Sequence, residues 1–130
     1  MTNHAELLEA ILTYFDAIFF CDVDRLDAVF HPSASLFDAD DGSILADPIA
    51  SYRANVASRP SPASINQRRF DEVIMIDWLS PISAVVKVRL QSHANVFVDH
   101  LSFVNGENGW QIVAKVWHLE STRPVQTQSA

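Results

Sequence analysis

Cysteine occurs once in the chain, at Cys21. No intrachain disulfide can therefore form, and no motif around Cys21 supports an activated thiolate. Glycine occurs three times, which leaves no Gly-rich loop to cradle a phosphate. No His or Cys pair has zinc spacing. The stretch "DADDG", Asp38 to Gly42, resembles the start of a calcium loop, but its twelfth position is Ile49 where such a loop needs a glutamate. Neither a metal nor a cofactor is expected. Basic residues are also scarce: nine Lys and Arg stand against 16 Asp and Glu, and Arg68-Arg69 is the only adjacent pair. From Met1 to Asp47 there are ten acids and one base, Arg25. Phosphate neutralisation needs clustered cations, so nucleic acid and anionic membrane are excluded as partners. No apolar run approaches the ~18 residues needed to span a bilayer. Residues 1–9 lack the basic segment and apolar stretch of a signal peptide, so a cytoplasmic location is the expectation.

What the chain has is apolar material. Hydrophobic residues make up 48% of 130 positions, enough for one well-filled core. A single domain over residues 1–120 is expected. The tail from 121 to 130, "STRPVQTQSA", has no apolar period and is expected to be flexible.

Between Ala5 and Phe20, Leu7, Leu8, Ile11, Leu12, Tyr14, Phe15, Ile18 and Phe19 recur at helical spacing. Asp22 can cap a shorter helix carrying Val23, Leu26, Val29 and Phe30 on one face, stopped by Pro32. A short strand over 35–38, a turn at Asp40-Asp41-Gly42 and a returning strand over 43–45 follow. Asp47-Pro48 opens a third helix through about Ala57, and "SRPSPAS" is a loop. The period then changes to two, predicting strands near 68–79, 82–92, 96–105 and 110–120. Helices first and an antiparallel run afterwards give an α+β fold with the helices on one sheet face.

Alternation assigns the faces. With Lys87 and Arg89 in solvent, Ala84, Val86, Val88 and Leu90 turn toward the helices. Phe97, Asp99, Leu101 and Phe103 form the bulkier face of the next strand, which places a carboxylate among apolar neighbours. In the last strand, a solvated Lys115 puts Val113, Trp117 and Leu119 outside, and Ile112, Ala114, Val116 and His118 inside. Val96, Val98, Val113, Trp117 and Leu119 would then make an exposed apolar patch, and a homodimer through that outer face is expected to cover it.

The order of elements, with "FHPSASLF", "ASRPSPA", "DHLSF" and "GWQIVAKVWH", resembles the nuclear transport factor 2-like superfamily, and within it the SnoaL-like or putative lumazine-binding branch. The resemblance covers residues 5–120. It implies a cone-shaped, curved antiparallel or mixed sheet with three helices closing over a pocket, a cystatin-like α+β barrel. A second resemblance is to ketosteroid isomerase, whose helix tyrosine, first-strand base and later-strand aspartic acid fall at Tyr14, Asp38 and Asp99. It implies proton transfer beside a carbonyl, with Asp38 as base and Tyr14 and Asp99 as donors. Such chemistry needs a base at the carbon acid and donors at the oxygen that gains charge.

The candidate catalytic residues are thus Tyr14, Asp38, Asp99 and His118, the last because an inward imidazole suits acid–base work. Candidate ligand contacts are Ile18, Phe30, His31, Tyr52, Arg53, Val86, Val88, Phe97, Leu101 and Val116. The expected function is a small-molecule pocket, with isomerase, dehydratase or lyase activity on an apolar or aromatic substrate. The alternative is a non-catalytic binding or accessory protein of the same fold, and a third is a dimeric interaction module without any pocket. Each polar candidate also has a plainer use: a tyrosine hydroxyl satisfied in the core, a buried carboxylate tied to it, or an imidazole bonding free carbonyls at a helix end.

Overall fold

The computed structural model describes residues 3–128. Helix α1 runs over Asn3–Phe20 and buries the stripe Leu7, Ile11, Tyr14, Phe15, Ala17 and Ile18. Cys21 then takes a positive φ of 48°, which turns the chain so that Asp22 can cap α2, Val23–Val29. The Asp22 carboxylate accepts the N–H groups of Asp24 and Arg25, two of the donors a helix start leaves unpaired. The chain enters β1, Phe30–Asp38, directly. The helix therefore ends before Pro32, which lies inside the strand. A tight turn leads to β2, Leu45–Pro48, and Pro48 rather than Asp47 caps α3, Ile49–Ser58, without a side-chain bond. A short 3₁₀ turn at Ala63–Ile65 precedes four long strands: β3 Asp71–Ser80, β4 Ser83–Ser92, β5 Asn95–Gly106 and β6 Gly109–Thr122.

The six strands form one sheet in the order β2-β1-β6-β5-β4-β3. β1 runs parallel to β6, and every other neighbour is antiparallel, so the sheet is mixed. This is the expected α+β architecture. The core lies between the helices and the inward side chains Ala34, Leu36, Ala84, Val86, Val88, Leu90, Leu101, Phe103 and Ile112.

One irregularity rearranges the last strand. Ser102 pairs with Ala114, but Phe103 pairs with Ile112, leaving Val113 as an extra residue, a β-bulge. One extra residue inverts the facing of all that follows. Trp110 and Ile112 point inward before it, and Lys115 and Trp117 after it. The expectation of an outward Lys115 and Trp117 with an inward Val116 and His118 is therefore reversed: Lys115 is 6% exposed and Val116 51%. His118 stands outside, where its Nδ1 meets Asp40 Oδ1 at 2.6 Å, and Asp40 Oδ2 also accepts the Leu119 N–H at 2.8 Å. The bonds from Leu119 N–H and from His118 hold the Asp40 carboxyl below its ordinary range. Val96, expected on the exposed outer patch, is buried.

The tail is more ordered than its composition suggests. Residues 121–122 continue β6, the Arg68 N–H donates to Gln126 C=O at 2.7 Å, and Gln67 bridges Thr127. Residues 129–130 of the expected flexible tail lie outside the described residues.

Candidate functional site

A cavity of about 260 Å³ opens between the inner face of β1, β2 and β4–β6 and the helices α1 and α3. Its apolar wall is Ile18, Leu36, Leu45, Leu90, Phe97 and Trp117. Polar groups converge on it from separate elements: Tyr14 from α1, Asp99 from β5, Lys115 from β6, and Tyr52, Asn55 and Arg59 from α3 and its end, with Asp47 and Ser92 completing the lining.

Their placement follows from local structure. Tyr14 belongs to the buried stripe of α1, so its ring is carried onto the sheet, where it packs against Phe15 and Phe30 at centroid distances of 6.1 and 6.0 Å. Asp99 is inward by strand alternation and lies between Val88 on β4 and Trp117 on β6. Lys115 is inward because of the bulge, flanked by Leu36 and Leu101.

The Tyr14 hydroxyl donates to Asp99 Oδ2 at 2.5 Å in a buried environment. Burial, and then the neighbouring Asp99 carboxylate, push the Tyr14 phenol well above its ordinary range, so it holds its proton and serves as a donor. Lys115 Nζ reaches the same Oδ2 at 3.8 Å and the Tyr52 hydroxyl at 3.5 Å. Both contacts are long for a hydrogen bond. The amine also lies 5.2 and 4.9 Å from the ring centroids of Tyr14 and Tyr52, within cation–π range. Asp99 Oδ1 is buried and has no hydrogen-bond partner. A 1%-exposed carboxylate with one oxygen satisfied and one bare is costly unless something else supplies a donor.

Among the residues expected from sequence, the structure brings together Tyr14, Asp99, Ile18, Tyr52 and Phe97. Asp38 shares the inward parity of Leu36 but is not part of the cavity wall; its Oδ2 accepts the Asp40 N–H at 3.4 Å. His118 and Val116 are on the opposite face for the reason given above. Phe30 sits behind the wall, against both Tyr14 and Tyr52, and fixes the two phenols without lining the cavity. Val86, Val88 and Leu101 are fully buried core. His31 is exposed, its Nδ1 accepting the Ser33 N–H, and Arg53 pairs on the surface with Asp27 at 2.8 Å. Lys115, Trp117, Asn55 and Arg59 were not foreseen. Lys115 and Trp117 were hidden by the bulge. Arg59 was hidden by its place in an apparent loop. Among the described residues, no group of three His, Cys, Asp or Glu side chains is arranged to hold a metal, and no helix is long and apolar enough to cross a membrane.

Solved structures share this architecture. An NTF2-like protein of unknown function from Silicibacter pomeroyi DSS-3 superposes with a TM-score of 0.78 at 22% identity, over 89% of this chain and 94% of that one. An NTF2-like protein of unknown function from Shewanella baltica OS155 gives 0.78 at 19%, over 93% and 94%. A ketosteroid isomerase-like protein from Erwinia carotovora atroseptica gives 0.66 at 12%, over 90% and 95%. At these identities the likeness is one of fold. No curated protein matches the sequence. The family described as putative lumazine-binding matches residues 2–118. Sequence match and architecture agree: the chain belongs to the putative lumazine-binding family and has the nuclear transport factor 2-like fold.

Proposed function

We propose that the protein binds a compact, flat small molecule in this cavity, recognised by an acceptor and a donor side by side, Asp99 Oδ1 and Lys115 Nζ. The bare Asp99 oxygen in the cavity wall carries the reading. A ring lactam such as lumazine presents the complementary pair, an N–H beside a carbonyl, and its flat body suits the aromatic wall of Phe97 and Trp117, whose rings meet edge to face at 5.7 Å. The volume of about 260 Å³ falls just below the roughly 300–1,000 Å³ usual for ligand pockets, which favours one or two fused rings over a steroid-sized body. Calorimetric titration with lumazine tests the reading. Saturable one-to-one binding, weakened at least tenfold by Asp99→Asn, is expected; binding that Asp99→Asn leaves unchanged would overturn it.

The same geometry favours a second reading, cofactor-independent proton transfer of the isomerase or lyase type. The roles differ from those implied by the ketosteroid isomerase resemblance. Tyr14 is already committed to Asp99, so Asp99 Oδ1 is the base and Lys115 the group that meets the developing oxyanion. Solvent deuterium entering a bound carbon acid in wild type but not in Asp99→Asn is the expected sign, and equal exchange in both would exclude it. The proposed homodimer through the outer sheet face is retained with a changed membership: Val98, Val113 and Leu119 remain, Val116 joins them, and Val96 and Trp117 leave.

A further inference from the structure

The chain has seven arginines among 16 acidic residues, so an arginine easily finds a carboxylate. Arg25 pairs with Asp22 at 2.5 Å, Arg53 with Asp27 at 2.8 Å, Arg69 with Asp16 and Asp71 at 2.8 and 2.7 Å, and Arg89 with Glu72 and Glu120 at 2.7 and 2.8 Å. Arg68 and Arg123 are exposed to water. Arg59 alone, among the described residues, is a partly buried arginine with no carboxylate within 4 Å, and it lines the cavity. Its Nε is buried without a hydrogen-bond partner. Its Nη1 donates to Asn55 Oδ1 at 3.3 Å, a neutral acceptor, and its Cζ lies 5.8 Å from the centroid of Tyr52.

We propose that the ligand carries a carboxylate or comparable monoanion and that Arg59 is its counter-ion at the α3 end of the cavity. The proposal rests on the small-molecule reading above and specifies the class of molecule. A guanidinium withdrawn from water without an acid is costly, and its planar fork matches a carboxylate through two parallel N–H bonds. Local structure aims it: Arg59 follows the last turn of α3 with extended backbone, φ −105° and ψ 150°, and its side chain runs back along that turn to Asn55 and Tyr52. Neither lining carboxylate neutralises it. Asp99 is tied to Tyr14, and Asp47, on β2, stays beyond 4 Å. The positive charge of Arg59 is felt across the cavity, where it acts against the upward displacement of the Tyr14 phenol. The cavity therefore has two ends: Arg59 and Asn55 for an anion, and Asp99 with Lys115 for a polar ring edge.

The test uses two matched pairs of probes, pterin-6-carboxylate against 6-hydroxymethylpterin and nicotinate against nicotinamide, titrated into the full-length protein by calorimetry. The wild type is expected to prefer each acid by about ten- to a hundred-fold, the range of one charge-assisted contact. Arg59→Gln should equalise acid and neutral partner, Arg59→Lys should keep part of the preference, and Asp47→Asn should tighten the acid by removing a like charge from the wall. Equal affinity of acid and neutral probe in the wild type overturns the assignment of Arg59 while leaving the pocket reading standing. A preference that survives in Arg59→Gln overturns it too. Failure of all four probes to bind overturns the small-molecule reading, and this one with it. Thermal midpoints of the ligand-free variants show whether the fold is retained, and the acid-against-neutral comparison in wild type needs no variant.

Discussion

Replacing Tyr14 by phenylalanine removes one oxygen and almost nothing else. The ring keeps its contacts with Phe15 and Phe30, so the apolar part of the packing is unchanged. The buried 2.5 Å bond to Asp99 Oδ2 is lost, and the carboxylate keeps only Lys115 at 3.8 Å, with Oδ1 still bare. A hydrogen bond to a charged group contributes about 1.5–3 kcal/mol, and the orphaned acceptor places the loss in the upper half of that range. At about 3–5 °C per kcal/mol for a domain of this size, the midpoint should fall by roughly 6–15 °C. Urea unfolding at pH 7 measures the loss. A cycle with Asp99→Leu should show the double variant costing less than the sum of the singles by about 1–2 kcal/mol, because each single strands the other's partner. The pH dependence gives an independent reading. In the unfolded chain Tyr14 loses its proton near the ordinary ~10, whereas in the fold burial and Asp99 retain it. The unfolded state then binds fewer protons, so this contribution to stability is complete below about pH 10 and is lost as pH rises beyond it. Tyr14→Phe should lack that alkaline loss. A variant within about 0.5 kcal/mol of wild type, with an unchanged alkaline slope, would refute a buried, proton-holding Tyr14 bonded to Asp99.

The facing of β6 can be checked directly. On a Cys21→Ser background, Val116→Cys should react with a maleimide at nearly the rate of a free thiol, while Trp117→Cys should react far more slowly and be protected further by a bound probe. Equal rates would dissolve the bulge at Val113. Light scattering at micromolar concentration should give the mass of two chains, and Val116→Asp should shift it toward one; a monomer mass for the wild type would remove the outer-face dimer.

Much of the frame was legible because it depends on short-range physics. The stripe of α1, the Asp22 cap of α2 and the period-two runs from residue 71 onward each follow from spacing within a few residues. The inward Asp99 was legible for the same reason, since β5 has no bulge between Phe97 and Ser102 and its alternation holds. In β6 the same rule failed. A lysine in a strand is normally solvated, and only the pairing of Phe103 with Ile112 rather than Val113 shows that Lys115 has crossed to the inner face. Arg59 was illegible for another reason: its meaning lies in the carboxylates it does not touch.

The sequence by itself determined the fold class, the element order and the inward tyrosine and aspartate, because local periodicity and capping act within one element. The tertiary structure alone decided that Asp38 and His118 stand apart from Asp99 and that Lys115, Trp117 and Arg59 join it. Convergence depends on strand register and on helix placement over the sheet, which are set by long-range pairing and packing of the whole chain.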